Sequence, residues 1–149
     1  MNPLPRTPLD ILLVEDNPGD VRLFREALDP ERRSHLTIAR DGVEAIAILE
    51  QSGLYADAPR PDIVVLDLNL PKKGGAQVLA EIKSHPRLNG VPVVMLTSSD
   101  AAVDVSSTYA LGANCYVRKP NDLDEFIAAV RSIEDYWSSV AEVPPRGRY

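Results

Sequence analysis

The sequence predicts an α/β fold, a doubly wound five-stranded parallel sheet, on three observations. Short apolar runs alternate with amphipathic stretches five times along the chain. Helix-capping signals stand where amphipathic stretches begin, and polar residues able to do chemistry stand where apolar runs end. An alternation of strand and helix implies a parallel sheet covered by helices on both faces.

The first run is Asp10–Val14. Asn17 followed by Pro18 reads as an N-cap with proline at the first helical position, opening a helix with Val21, Phe24 and Leu28 on one side. The second run, His35–Ala39, leads to Asp41–Gly42 and a helix carrying Val43, Ile46, Ala47 and Leu49, with a stop at Ser52–Gly53. "YADAPRP" reads as a surface loop before the third run, Asp62–Leu66. In "KKGG" the lysines precede the glycines, so it reads as a turn and not a Walker phosphate loop. The third helix follows, with Val78, Leu79 and Ile82 inward.

The fourth run is Val91–Leu96. The helix after it, Ala101–Leu111, has no Ile, Phe or Met and ends at Gly112, so its register on the sheet is expected to be the least firmly specified. The fifth run, Asn114–Val117, precedes a helix from Asp122 to about Ser138. That helix has the clearest period, with Leu123, Phe126, Ile127, Val130, Ile133 and Trp137 on one stripe. "SVAEVPPRGRY" reads as a tail with no output domain expected after it. The expected organisation is an N-terminal tail at 1–8, one domain over 9–138 and a C-terminal tail at 139–149.

A chain of 149 residues with 44% hydrophobic content suits one core and not two. A formal net charge of -6 with scattered Lys and Arg argues against nucleic acid, whose phosphates require a basic face. The one cysteine, Cys115, excludes an internal disulfide framework and reads as a small buried hydrophobe. "MNPLPRTP" has no apolar core of signal-peptide length, and no apolar run approaches membrane-spanning length. The sequence therefore leads us to expect a cytoplasmic protein with no membrane partner. His35 and His85 are expected at the surface without a metal role.

Chemistry gathers at the strand ends. In "DIVVLDLNLP" an apolar strand delivers Asp67, a carboxylate that is costly to bury without a partner. Glu15 and Asp16 end the first strand, Thr97 and Ser98 the fourth, and Lys119 closes the fifth just before Pro120. Open parallel sheets bind ligands outside the carboxyl ends of their strands. Taken singly, an acid pair reads as a solvated turn or cap, and a strand-end threonine as a group satisfying backbone. Together they form a pattern. Three acids brought close repel unless a cation is present, and an all-oxygen donor set suits Mg2+ better than zinc. Metal, ammonium and hydroxyl around one carboxylate make a cradle for a phosphoryl group, with Asp67 as the nucleophile.

"LVEDNP", "VVLDLNLP", "VVMLTSS" and "CYVRKP" stand in the order and at the spacing of the response-regulator receiver domains of two-component signalling, which the chain resembles over roughly 9–138. The resemblance implies a flavodoxin-like fold of strand order 2-1-3-4-5. It makes Asp67 the phosphoacceptor, Thr97 the switch hydroxyl, Lys119 the phosphate-sensing lysine and Tyr116 the aromatic switch. It also implies Mg2+ held by Asp16, Asp67 and the backbone carbonyl of Asn69, with Glu15 acting through water. Asn69 and Ser99 fall at the two variable positions that tune phosphoryl lifetime in the family, and Lys119–Pro120 is a candidate cis bond. On phosphorylation Thr97 is expected to move to the phosphoryl oxygen and Tyr116 to turn inward behind it.

More narrowly, "DLNLPKKGG", "EIKSHP", "NCYVRKP" and "IEDYWSSVAEVP" look like the single-domain regulators that partner bacterial phytochrome histidine kinases. The implied partners are such a kinase and a histidine phosphotransfer or effector protein. Large aromatics at a helix end, Tyr136 and Trp137, further suggest a reversible homodimer anchored there, the alternative being that Trp137 packs back on its own core. The protein is then a phosphoacceptor and not a turnover enzyme. The competing reading is a haloacid-dehalogenase-type aspartyl-phosphate hydrolase. Such enzymes carry a proton-donating acid two residues after the nucleophile, where this chain has Asn69. A flavodoxin-like nucleotide carrier would need a glycine- and hydroxyl-rich loop where this chain has "VEDNPG".

Overall fold

Five parallel strands lie in the order β2-β1-β3-β4-β5 in the computed structural model, which describes residues 8–145. Most of the proposed N-terminal tail, 1–7, and the last four residues, 146–149, lie outside the described residues. The strands are β1 (Asp10–Val14), β2 (His35–Ala39), β3 (Ile63–Leu66), β4 (Val93–Thr97) and β5 (Cys115–Arg118). The helices are α1 (Pro18–Ala27), α2 (Gly42–Glu50), α3 (Gly75–Ser84), α4 (Ala102–Ala110) and α5 (Leu123–Asp135). The predicted fold class and strand order both hold.

Successive side chains of a strand point to opposite faces, and the central strands are apolar at both parities because helices cover both faces. Leu12, Val14, Val64, Leu66, Val93 and Met95 pack under α2 and α3. Ile11, Leu13, Ile63, Val65, Val94 and Leu96 pack under α1 and α5. Each such burial contributes roughly 1.5–3 kcal/mol before chain entropy is set against it. Among the described residues no helix is long and apolar enough to cross a membrane.

The N-terminal capping signals work as read. Asn17 accepts from Asp20 N–H, Asp41 from Glu44 N–H and Asp122 from Glu125 N–H, each satisfying a first-turn donor. Strand starts move where backbone donors are lost or diverted. β4 opens at Val93 instead of Val91 because Pro92 has no N–H and Val91 N–H bonds back to Leu88 O. β5 opens one residue late, with the Asn114 side chain accepting from Val93 N–H at 2.9 Å.

Three packing expectations are corrected. The buried face of α2 is Ala45, Ile48 and Leu49, whereas Val43 is half exposed: the helix starts at Gly42, and the short apolar run allowed either face. Its left-handed cap is Gln51, with φ 55°, ahead of Ser52–Gly53. Trp137 packs back on the α1–α5 core in a π-helical turn, Tyr136–Val140, while Tyr136 stays 51% exposed. Leu123, assigned to the apolar stripe, is half exposed because it occupies the first position of α5. There is no cis peptide among the described residues, so Lys119–Pro120 is trans, the form tertiary amides favour by about 0.5–1 kcal/mol. The resemblance alone had suggested otherwise, and the trans bond still delivers Lys119 to the acids.

Candidate phosphoryl-acceptor site

Apart from Tyr116, which lies inside β5, the predicted site residues stand at or just past the carboxyl end of a strand, and backbone pairing fixes most of them there. Glu15 N–H donates to Ala39 O at 2.9 Å, Asp67 N–H to Val14 O at 3.1 Å, and Lys119 N–H to Thr97 O at 2.8 Å. The parallel ladder thus continues one residue beyond each strand, and the crevice lies between β1 and β3, where strand order reverses. Gly75 closes the far side. Its backbone lies so near Asp67 that a Cβ there would come within 2.1 Å of the Asp67 carbonyl oxygen.

Carboxylate oxygens of Glu15, Asp16 and Asp67 lie within 4.8 Å of one another. Lys119 Nζ donates to Glu15 Oε1, to Asp20 Oδ2 at 2.9 Å and to Asp67 Oδ2 at 3.0 Å. The other oxygens are held too: Asn17 N–H donates to Glu15 Oε2 at 3.2 Å and Asn69 N–H to Asp67 Oδ1 at 3.3 Å. Burial pushes the Glu15 carboxyl up to about 7, against the Lys119 hydrogen bond and with the help of the Asp67 charge. Burial would lower the Lys119 ammonium, and its hydrogen bonds to Glu15 and Asp20, together with the Asp67 charge, outweigh that and hold it above the ordinary lysine value.

Thr97 is fully buried, and its Oγ1 has no hydrogen-bond partner among the described residues. Tyr116 already packs against the α2–α3 side of the core, and its hydroxyl donates to Ser99 O at 2.8 Å. The ring thus has apolar cover and its hydroxyl an acceptor in this structure. Cys115 is half-buried, and burial pushes its thiol up. His35 and His85 pair with Asp10 and Glu50 and stand away from the acids.

Sequence reading missed Asp20, whose signal was its place three residues after the N-cap, in the first turn that faces the strand ends. It also missed the contacts around Tyr116. Ser99 Oγ donates to Asp104 Oδ2 at 2.5 Å, and Tyr116 N–H to the Tyr109 hydroxyl at 3.1 Å.

Residues 11–131 match the response regulator receiver domain family. The chain belongs to the receiver family. It is 46% identical over 138 residues to response regulator Rcp1 of Synechocystis sp. strain ATCC 27184 / PCC 6803 / Kazusa, covering 92% of this chain and 94% of that protein. Among solved structures, the phosphorylated cyanobacterial phytochrome response regulator RcpA superposes with a TM-score of 0.90 at 46% identity, over 93% of this chain and all of the other. The Mn2+-bound form of Rcp1 gives 0.85 at 44%, again over 93% of this chain and the whole of that one. As a receiver related to phytochrome response regulators, the chain leaves the hydrolase reading without support.

Proposed function

We propose that this receiver accepts a phosphoryl group on Asp67 from the phosphohistidine of a histidine kinase, and that the kinase is a phytochrome. An Asp67 oxygen forms a bond to phosphorus as the phosphorus–nitrogen bond breaks and the imidazole leaves with the electron pair. The observation that carries this reading is the convergence on buried Asp67 of one ammonium and two further carboxylates. The relatives described as phytochrome response regulators support the choice of kinase.

The acids fit a hard divalent cation, since they offer clustered oxygens and no nitrogen or sulfur ligand. Asp16, Asp67 and the Asn69 carbonyl would hold Mg2+, with Glu15 reaching it through water. When bound, the ion neutralises the acids and orients the phosphoryl oxygens. The chain's own residues do the rest. Lys119 stabilises charge on the phosphoryl group, and the unpartnered Thr97 hydroxyl donates to one of its oxygens. Movement of Thr97 then acts on the Tyr116–Ser99 contact and on α4, so the protein works as a phosphorylation-controlled binding module in the cytoplasm and not as a turnover enzyme. Its readers are a second copy of itself, in a reversible dimer, and a histidine phosphotransfer or effector protein.

Incubation with Mg2+ and acetyl phosphate tests the site. Stoichiometric, acid-labile, metal-dependent labelling is expected for the wild type and none for Asp67→Asn, which keeps size and removes the nucleophile. Undiminished labelling of that variant would sink the assignment, and multiple turnover of phosphomonoesters would restore the hydrolase.

A further inference from the structure

An ammonium has three N–H donors, and at Lys119 each finds a carboxylate: Glu15, Asp20 at 2.9 Å and Asp67 at 3.0 Å. The three acids are not equivalent. The side chains of Glu15 and Asp67 are 4% and 8% exposed, whereas that of Asp20 is 29% exposed. Asp20 also borders a cleft of about 310 Å³ lined by Leu23, Ser98, Lys119, Pro120 and Phe126. Its backbone is tied down, because its N–H donates to the Asn17 cap at 3.1 Å, while its partly exposed side chain lines this cleft.

We propose that Asp20 is a positioning residue that holds one Lys119 N–H in the unphosphorylated protein and yields it to the incoming phosphoryl group, so that its charge acts as a brake on phosphorylation. This rests on Asp67 being the phosphoacceptor. A phosphoryl oxygen that pairs with Lys119 must take a donor already in use. Glu15 is too deeply buried to be rehydrated cheaply, and Asp67 is the nucleophile. Asp20 can turn toward the cleft and recover water. Asp20 is also the fourth acid, after Glu15, Asp16 and Asp67, that an anionic donor must approach. Both effects have the same sign: removing that charge makes the site more receptive.

The plainer role for Asp20 is first-turn stabilisation of α1, where an acid is favoured by the helix dipole. The two roles separate in the full-length protein with saturating Mg2+, using wild type, Asp20→Asn, Asp20→Glu and Asp67→Asn. Calorimetry gives the dissociation constant of beryllofluoride, which stands in for the phosphoryl group. Acetyl phosphate gives the labelling rate, as an Asp67 oxygen bonds to phosphorus and acetate departs with the electron pair of the broken bond. Asp20→Asn should bind beryllofluoride about two- to fivefold tighter and label faster by a similar factor, the scale of a partly exposed charge pair. The difference should shrink as salt rises, and Asp20→Glu should return toward wild type. A purely structural role moves the melting temperature without this salt dependence or rescue. Unchanged or weaker binding by Asp20→Asn, or a change that Asp20→Glu does not reverse, overturns the proposal. A wild type that neither labels nor binds beryllofluoride, or a labelled Asp67→Asn, overturns the phosphoacceptor reading itself, and those two proteins show it without any Asp20 variant.

Discussion

Thr97 carries a buried hydroxyl without a partner among the described residues, a condition that ordinarily costs about 1–3 kcal/mol. The proposed function, in which Thr97 donates to a phosphoryl oxygen, would explain why such a group is kept. Thr97→Val preserves the shape and removes the unmet polar atom, so its melting temperature should equal or exceed that of wild type. The same variant should lose the change in amide exchange over residues 97 to 117 that beryllofluoride induces in wild type. A variant that melts lower, or that still switches, would contradict this account. Cys115 gives a second test at this scale. Burial holds its thiol above the ordinary 9.0, so near that pH the folded protein carries less thiolate than the unfolded chain. Iodoacetamide at pH 9 should label Cys115 several-fold more slowly in buffer than in urea. The unfolded thiol loses its proton first, so the contribution of Cys115 to stability is present below about pH 9 and declines as pH rises through the higher folded value. Equal labelling rates would remove the burial argument.

Among the helices, α3 and α4 play opposite parts. α3 begins where Gly75 lies against the Asp67 backbone, with Gly75 N–H bonded to Leu68 O at 2.9 Å. The glycine is required by close approach, since its Cβ would meet the Asp67 carbonyl oxygen at 2.1 Å. Gly75→Ala should therefore displace the acceptor loop, costing about 1–3 kcal/mol, or several degrees in melting temperature, and slowing acetyl phosphate labelling. An unchanged melt would show that the loop accommodates the methyl group. α4 is held loosely by comparison. Only Thr108 is buried, Val103 is 72% exposed, and the helix is tied to the site through Ser99–Asp104 and Tyr109–Tyr116. Few buried side chains and a few polar ties mark an element of low local stability, the kind that the proposed switch would draw on.

For the whole molecule, exposed apolar groups remain on α4 and at the end of α5. Tyr109 and the cap residue Leu111 belong to the first, and Tyr136 and Val140 to the π-helical turn that follows the second. These are candidate contacts for the proposed reversible dimer. Phosphorylation should strengthen it by about 1–3 kcal/mol, the usual scale of coupling between sites. Light scattering at micromolar concentration should show a mass that rises with beryllofluoride in wild type and rises less in Tyr136→Ala. Trp137→Ala is a test of stability instead, because Trp137 covers its own core. A monomeric wild type with and without beryllofluoride would leave a different protein as the reader.

The number and order of the elements were legible because apolar periodicity and capping chemistry are local: "LDILLV" has the length and flanks of a buried strand, and Asn17–Pro18 before an amphipathic stretch signals a helix start. Glu15, Asp16, Asp67, Thr97 and Lys119 were legible for a related reason, since a polar residue closing an apolar strand of a parallel sheet must emerge at the binding edge. What lay beyond local pattern belonged to the tertiary structure. Which face α2 buries depended on docking against α3, and whether Trp137 met solvent or core depended on how the chain turned after Asp135. That Lys119 finds Asp20, 99 positions away in sequence, and that Tyr116 finds Ser99, depended on β1, β4 and β5 being gathered into one sheet with their helices. Local sequence sets which groups reach the carboxyl edge, because strand period and caps act over a few residues. Only the packed sheet sets which of those groups share a proton donor, because that depends on distances between atoms far apart along the chain.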